Sequence, residues 1–227
     1  MGTRPFPRAF LDLLFPRRCL GCGSLGSYFC PACQRAVEPL PGPFCARCKT
    51  PIDPLLPLCH CRTNAIPVVA AGVFAGPLRE AVHRLKYGGQ TAGAPALAEL
   101  LRPHLTLSVG DRLLVPVALH PARLRERGYN QSAVLARALA SDRPEHLAEG
   151  ALRRVRRTDA QARLSASERA RNVDGAFRAD SRICAGREIL LIDDVCTTGA
   201  TLRAAAEALR DAGATAVSAS VLAVAVT

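Results

Sequence analysis

The stretch Ile189–Thr201, ILLIDDVCTTGAT, decides how this chain is read. Ile189–Ile192 are four apolar residues in a row, the pattern of a strand buried on both faces of a parallel sheet. Asp193 and Asp194 are expected to end that strand, which sets two carboxylates at the carboxyl edge of the sheet, where open α/β folds bind ligands. Val195, Cys196, Thr197, Thr198, Gly199, Ala200 and Thr201 follow and lead into a helix. Small residues let the backbone close round an anion, and Gly199 has torsions open to it that larger residues avoid. Amides at a helix N-terminus, helped by its dipole, meet a phosphate. Hydroxyls of Thr197, Thr198 and Thr201 add donors. The loop lacks the Gly-Lys-Ser/Thr ending of a Walker loop. Paired carboxylates suit a bare phosphate poorly. They suit a phosphate that carries a sugar, because vicinal hydroxyls donate to carboxylates and because the pair opposes positive charge building on the sugar. The plainer alternative is a solvated Asp-Asp turn before a Thr-capped helix. The order of apolar run, acid pair, Thr-Gly-x-Thr and helix favours a site for phosphoribosyl pyrophosphate (PRPP) or a ligand built like it.

Outward from this loop, apolar strands alternate with amphipathic helices. Strands are expected at Pro67–Phe74, Leu113–Val117, Glu188–Ile192 and Ala216–Val226. Helices are expected at Leu78–Leu85, Ala96–Leu105, Gln131–Ala140 and Leu202–Ala212. That alternation predicts an α/β fold, a mostly parallel sheet flanked by helices. The pattern starts at Ile66, after a Pro-rich stretch from Pro39 to Pro57, and divides the chain into residues 1–65 and 66–227.

The first part is a cysteine module. Eight of the ten cysteines fall between Cys19 and Cys61. Cys19-x-x-Cys22 and Cys30-x-x-Cys33 are two tight corners whose four thiolates can converge on one tetrahedral zinc ion. Cys45-x-x-Cys48 and Cys59-His60-Cys61 form a second group. Its one-residue spacing cannot repeat the geometry of a Cys-x-x-Cys corner, so Cys45, Cys48, Cys59 and Cys61 hold a second zinc, His60 replaces a thiolate, or the site is strained or empty. Four protein ligands leave no open position for chemistry, so the zinc expected here is structural. Of the remaining cysteines, Cys184 reads as a buried or loop thiol. Cys196 lies in the phosphate loop, where a helix N-terminus would lower its pKa; it is either a redox-sensitive thiol or plain packing.

A net charge of +11 arises from 30 basic and 19 acidic residues, and Lys49 and Lys86 are the only lysines, so the excess is arginine. Guanidinium forks suit phosphate, which makes a polyanionic partner one reading and compositional bias the other. The absence of Trp and the aromatic content of 4% fit helices on a parallel sheet better than a β-sandwich. The opening MGTRPFPRAFLDLLFPRRC carries a short apolar patch broken by Asp12 and fenced by prolines. It is too interrupted for a signal peptide or a membrane span and reads as a turn or two of amphipathic helix. A cytoplasmic protein without membrane insertion is the expectation.

The motif apolar-apolar-Asp-Asp-x-x-x-Thr-Gly-x-Thr resembles the ribose-5-phosphate loop of type I phosphoribosyltransferases. Together with LLFPRRCLGCG (Leu13–Gly23), HRLKYGG (His83–Gly89), VPVALHPARLRERGYNQ (Val115–Gln131) and RRVRRTDAQARLSASERARNVDGAF (Arg153–Phe177), the chain resembles the ComF/ComFC family of competence and DNA-uptake proteins over nearly its whole length. Cys59-His60-Cys61 departs from the Cys-x-x-Cys pair expected there. The resemblance implies a type I phosphoribosyltransferase fold behind a zinc module. It implies that the turn Pro116–Gln131 holds pyrophosphate, through Arg123, Arg127, Gly128, Asn130 and Gln131 with Arg125 nearby, and that Lys86-Tyr87 faces the same pocket. It implies that Arg153–Arg171 is a flexible hood whose Gln161, Arg169 and Asn172 point at ligand. Catalysis would be displacement at the anomeric carbon, with Asp193 and Asp194 on the ribose hydroxyls and Mg²⁺ arriving on the substrate's oxygens.

Two functions follow. One is a PRPP- and Mg²⁺-using transferase. The other is an accessory protein of competence that binds PRPP or single-stranded DNA and meets uptake or recombination proteins. Tyr28, Tyr87 and Tyr129 are few for a stacking platform, so electrostatic contact with DNA is favoured over base readout.

Overall fold

The computed structural model describes residues 16–40, 42–52, 59, 61, 65–105, 111–156 and 175–225. The expected N-terminal helix, His60, Gln161, Arg169 and Asn172 lie outside these residues. The described chain runs α1 (Pro31–Arg35), β1 (Phe44–Cys45), β2 (Pro67–Val73), α2 (Gly76–Tyr87), α3 (Ala94–Leu105), β3 (Leu113–Pro116), α4 (Pro121–Arg127), α5 (Gln131–Leu139), β4 (Leu152–Arg154), β5 (Phe177–Ala179), α6 (Ser181–Cys184), β6 (Glu188–Cys196), α7 (Ala200–Asp211) and β7 (Ala216–Val224).

Five strands form one sheet in the order β1-β2-β7-β6-β3. β2, β7, β6 and β3 are parallel, and β1 adds an antiparallel edge through Phe44 opposite Val68. β6 lies inside the sheet, with Ile189, Leu190, Leu191 and Ile192 all buried. Alternation splits them between two layers. Ile189 and Leu191 join a core with Leu202, Ala205, Ala206 and Leu209 of α7. Leu190 and Ile192 join the opposite core, with Val82 and Leu85 of α2, Leu97 and Leu101 of α3, and Leu135 of α5. At roughly 1.5–3 kcal/mol for each large apolar side chain removed from water, these two layers hold the register of β6 and hence the position of the loop that follows it.

Most expected elements shift by one or two residues at an end, and two larger differences bear on the site. β6 does not stop at the acid pair but continues to Cys196. β7 pairs with it through Val195–Ala223 and Cys196–Val224, whereas the pairing with β3 has ended at Pro116–Ile192. The acids therefore sit inside a strand that is still paired with β7 but no longer with β3. The turn after β3 also contains a helix, α4. His120 caps it by accepting from the Ala122 amide at 3.2 Å, and Gly128 ends it in the left-handed region at φ 80.

The first cysteine group docks on the second core. Cys19, Leu20, Phe29 and Cys33 are buried there with residues of α2 and α3, and Arg84 donates to the Cys19 carbonyl at 2.7 Å. No helix among the described residues is long and apolar enough to cross a membrane.

Candidate functional site

Asp193 and Asp194 are 8% and 3% exposed. Two acids cannot both be ionised and buried without partners. Ser132 Oγ, at the start of α5, donates to Asp193 Oδ1 at 2.8 Å, and the Asp194 amide donates to the same oxygen at 2.9 Å. Lys86 Nζ, from the last turn of α2, lies 3.0 Å from Asp194 Oδ1. Burial and the neighbouring Asp194 push the Asp193 carboxyl up to about 7, against the pull of Lys86 and Ser132. Asp194 Oδ2 is buried and has no hydrogen-bond partner among the described residues. A buried carboxylate oxygen without a donor is unusual in a native protein and marks where a ligand hydroxyl can bond.

Beyond Cys196 the chain turns into α7. Gly199 caps the helix at φ 71 and packs so closely on the backbone of Ala46 that a Cβ there would lie 1.9 Å from its carbonyl oxygen. Only glycine fits both conditions. The Ala200 amide donates to Thr198 Oγ1 at 3.4 Å, while Thr197 is exposed and Thr198 and Thr201 are half-buried at the mouth of the loop. Val195 is half-buried and Cys196 buried. The Cys196 thiol is not lowered as its place before a helix suggested; burial pushes its pKa up, only partly opposed by Lys49, whose Nζ lies 2.8 Å from Sγ.

The basic residues fall into two recesses. Lys86, Arg123 and Arg127 line one of about 400 Å³ together with Tyr87 and Tyr129. Gly128 and Asn130 line a larger cleft of about 660 Å³ with His120, Arg153 and Arg154, which is the size of a small-molecule site. Asn130 and Gln131 are occupied by the turn itself. Asn130 accepts from the Ser132 amide at 3.1 Å and donates to the Val117 carbonyl at 3.0 Å, and the buried Gln131 side chain accepts from Arg127. Arg125 is exposed.

Ser132 and Lys49 face this region and carried no sequence signal as site residues, and Arg154, within the segment read as a hood, was given no role of its own. Arg154, half-buried over the Phe177 ring at 5.4 Å, has its guanidinium pKa lowered by burial and by Arg123, with Asp193 acting the other way. It belongs to the short β4–β5 ladder, whose pairing between residues 152–154 and 177–179 no periodicity announces. Lys49 could have been noticed only because it is one of two lysines.

In each cysteine group four thiols converge, with all sulfurs within 4.8 Å of one another. Cys19 and Cys33 are 3.6 Å apart, Cys22 and Cys30 3.7 Å, Cys48 and Cys59 3.6 Å. A tetrahedral ion with Zn–S bonds of about 2.3 Å separates its sulfurs by roughly 3.8 Å. Without an ion between them such thiols cannot all ionise: Cys61 is pushed up to about 12 by burial and by its hydrogen bonds to Cys45 and Cys48. The residues fit two structural zinc ions, and Cys59-x-Cys61 converges with Cys45 and Cys48 despite its short spacing.

Two family models match separate parts of the chain. Residues 10–63 match the family model for a double zinc ribbon domain, and residues 129–225 match that for a phosphoribosyl transferase domain. The chain is 35% identical over 196 residues to the DNA utilization protein YhgH of Salmonella typhimurium, covering 82% of this chain and 85% of that protein. It is 29% identical over 217 residues to competence protein F of Haemophilus influenzae, covering 88% and 93%. Against the competence protein ComFC of Bacillus subtilis it is 33% identical over 138 residues, covering 60% and 55%. Zinc module, phosphoribosyltransferase-type sheet and relatives together establish that this chain belongs to the ComF/ComFC family.

Proposed function

We propose that this protein binds PRPP with Mg²⁺ at the carboxyl end of β6 and serves DNA uptake or use, as the names of its relatives suggest. The observation that carries the reading is the buried, partnerless Oδ2 of Asp194, set just before the loop that opens a 12-residue helix. A ribose hydroxyl supplies the donor that oxygen lacks, and the helix N-terminus takes the phosphate of the same ligand. Residues 195–201 hold the 5′-phosphate. Lys86, Arg123 and Arg127 take the pyrophosphate, with Gly128, Asn130 and Gln131 shaping the turn. In the proposed division, residues 1–65 form the zinc module and 66–227 the ligand-binding domain.

When bound, Mg²⁺ supplies charge neutralisation on the pyrophosphate oxygens. The chain's own residues do the rest. Asp193 and Asp194 orient the sugar and oppose the positive charge that develops as the anomeric C–O bond breaks. Its electron pair leaves with pyrophosphate, where the Lys86 and Arg cluster stabilises it, and an acceptor's lone pair forms the new bond. Gln161, Arg169 and Asn172 are assigned to a hood over this site. Calorimetry with PRPP and Mg²⁺ tests the reading. Binding is expected, weakened at least ~10-fold in Asp194→Asn, the loss of about one charged hydrogen bond; no heat from the wild type sinks it.

A second reading has its own observation. Tyr87 is 73% exposed, with Arg127 over its ring at 5.2 Å and His83 edge-on at 6.0 Å. A basic recess with an exposed ring suits a base of single-stranded DNA. If the accessory role is the right one, Tyr87→Ala weakens single-strand binding several-fold, and by more than it weakens PRPP binding at the recess the ring shares.

A further inference from the structure

The only two lysines in the chain both end at the carboxyl end of β6. Lys86 arrives from α2 onto Asp194; Lys49 arrives from the second cysteine group onto Cys196. Lys49 is held there by the knuckle Cys45–Lys49. Its amide donates to the Cys45 carbonyl at 3.0 Å, and the Cys45 amide donates to the Thr50 carbonyl at 2.9 Å. Among the described residues Lys49 is the only non-glycine with positive φ, at 61. That conformation is disfavoured for a side chain of this length, so the surrounding contacts hold it. The same knuckle sets the Ala46 backbone directly on Gly199, so two of its residues touch the phosphate loop.

The ammonium of Lys49 touches a thiol and lies 5.3 Å from the Phe44 ring centroid. Among the described residues no carboxylate forms an ion pair with it. A thiol is a weak acceptor and a ring offers only its quadrupole, so a charged partner is missing at a place where the loop amides already favour an anion.

Resting on the PRPP reading above, we propose that Lys49 is a phosphate-binding residue of this loop, delivered by the second cysteine group. Metal at Cys45, Cys48, Cys59 and Cys61 and a phosphorylated ribose at residues 195–201 then bind cooperatively. Zinc fixes the knuckle that carries Lys49, and the anion bonded to Lys49 holds the knuckle closed. Linkage makes the coupling reciprocal. The zinc module is thus part of the ligand site and not only a support for it.

The test uses the full-length zinc-loaded protein with ribose 5-phosphate and inorganic pyrophosphate as separate probes. Lys49→Gly suits the positive φ and removes the ammonium, and Lys49→Arg keeps the charge; zinc content and circular dichroism verify both. Ribose 5-phosphate affinity is expected to fall at least ~10-fold in Lys49→Gly and to recover in part in Lys49→Arg, while pyrophosphate affinity stays within ~2-fold of wild type. In a colorimetric chelator assay, ribose 5-phosphate is expected to slow the release of one of two zinc equivalents in the wild type and not in Lys49→Gly. Unchanged ribose 5-phosphate affinity in Lys49→Gly overturns the inference. So does zinc release that ribose 5-phosphate does not slow. If the wild type binds neither PRPP nor ribose 5-phosphate, the underlying reading fails first. If Lys49→Gly loses zinc on purification, Lys49→Asn, which tolerates the same backbone, replaces it under the same criteria.

Discussion

Lys86 Nζ lies 3.0 Å from Asp194 Oδ1, joining a residue assigned to pyrophosphate with a residue assigned to ribose. In the free protein the cation neutralises a carboxylate that is almost fully buried, and it does so from the last turn of α2, on the rim of the basic recess. A ligand that spans both halves finds the two charges already adjacent. Lys86→Met leaves the acid pair without its counter-charge and should cost roughly 2 kcal/mol in urea unfolding, below the 3–5 kcal/mol of a fully buried pair because Lys86 is partly exposed. Adding Asp194→Asn should recover most of that loss. If the double variant is no more stable than Lys86→Met alone, the pair is not coupled as the geometry indicates.

The acid pair predicts a pH dependence with a definite sign. Asp193 is pushed up to about 7 in the folded protein, against about 3.9 in an unfolded chain. Between those values the folded state holds the extra proton, so stability is highest on the acid side and declines as pH rises from about 4 to about 7. The decline is bounded at about 4 kcal/mol by the size of the shift. Urea unfolding of wild type and Asp193→Asn across this range isolates it, since the zinc thiols contribute equally to both. The difference between the two proteins should change with pH and flatten above about pH 8. Ser132→Ala, which removes a hydrogen bond that favours the ionised form, should move the transition to higher pH.

Gly199 meets two constraints at once, its φ of 71 and the Ala46 carbonyl. Gly199→Ala should destabilise by roughly 2–4 kcal/mol, combining backbone strain with overpacking. It should also lift the Cys45–Lys49 knuckle from the loop. Thermal unfolding reads the first effect, and faster zinc release to a chelator reads the second. A variant as stable as wild type would mean that the two backbones do not meet.

The first cysteine group is expected to behave as part of the core. Leu20 fills the space a side chain on Gly93 would need, and Arg84 ties Cys19 to α2. Cys19→Ser should abolish one zinc equivalent and lower the melting temperature by on the order of 10 °C, from a loss of roughly 3–4 kcal/mol in a chain of this size. Metal analysis and calorimetric melting check it together. Loss of zinc with an unchanged melting temperature would contradict the packing.

Features whose physics is local are legible in the chain alone. Four consecutive apolar residues require a doubly covered strand, so β6 and the parallel sheet were legible at Ile189–Ile192. Thr-Gly-x-Thr before an amphipathic helix pointed to Gly199 as the residue free to take a left-handed torsion. Cys-x-x-Cys corners required converging sulfurs. Tertiary structure decided what depends on contacts between distant residues. β6 runs past the acids to Cys196 because β7 is long enough to pair with it, and strand length is set by the partner. α4 forms within the expected turn because His120 and Gly128 cap it, a local signal that the charged residues between them obscured. Cys196 has a raised rather than lowered pKa because burial outweighs the helix terminus. Ser132, Arg154 and Lys49 face the site only through folding, since Lys49 and Cys196 lie 147 positions apart in the chain. Local patterns specify which loop is the candidate site, and long-range packing specifies which charges surround it.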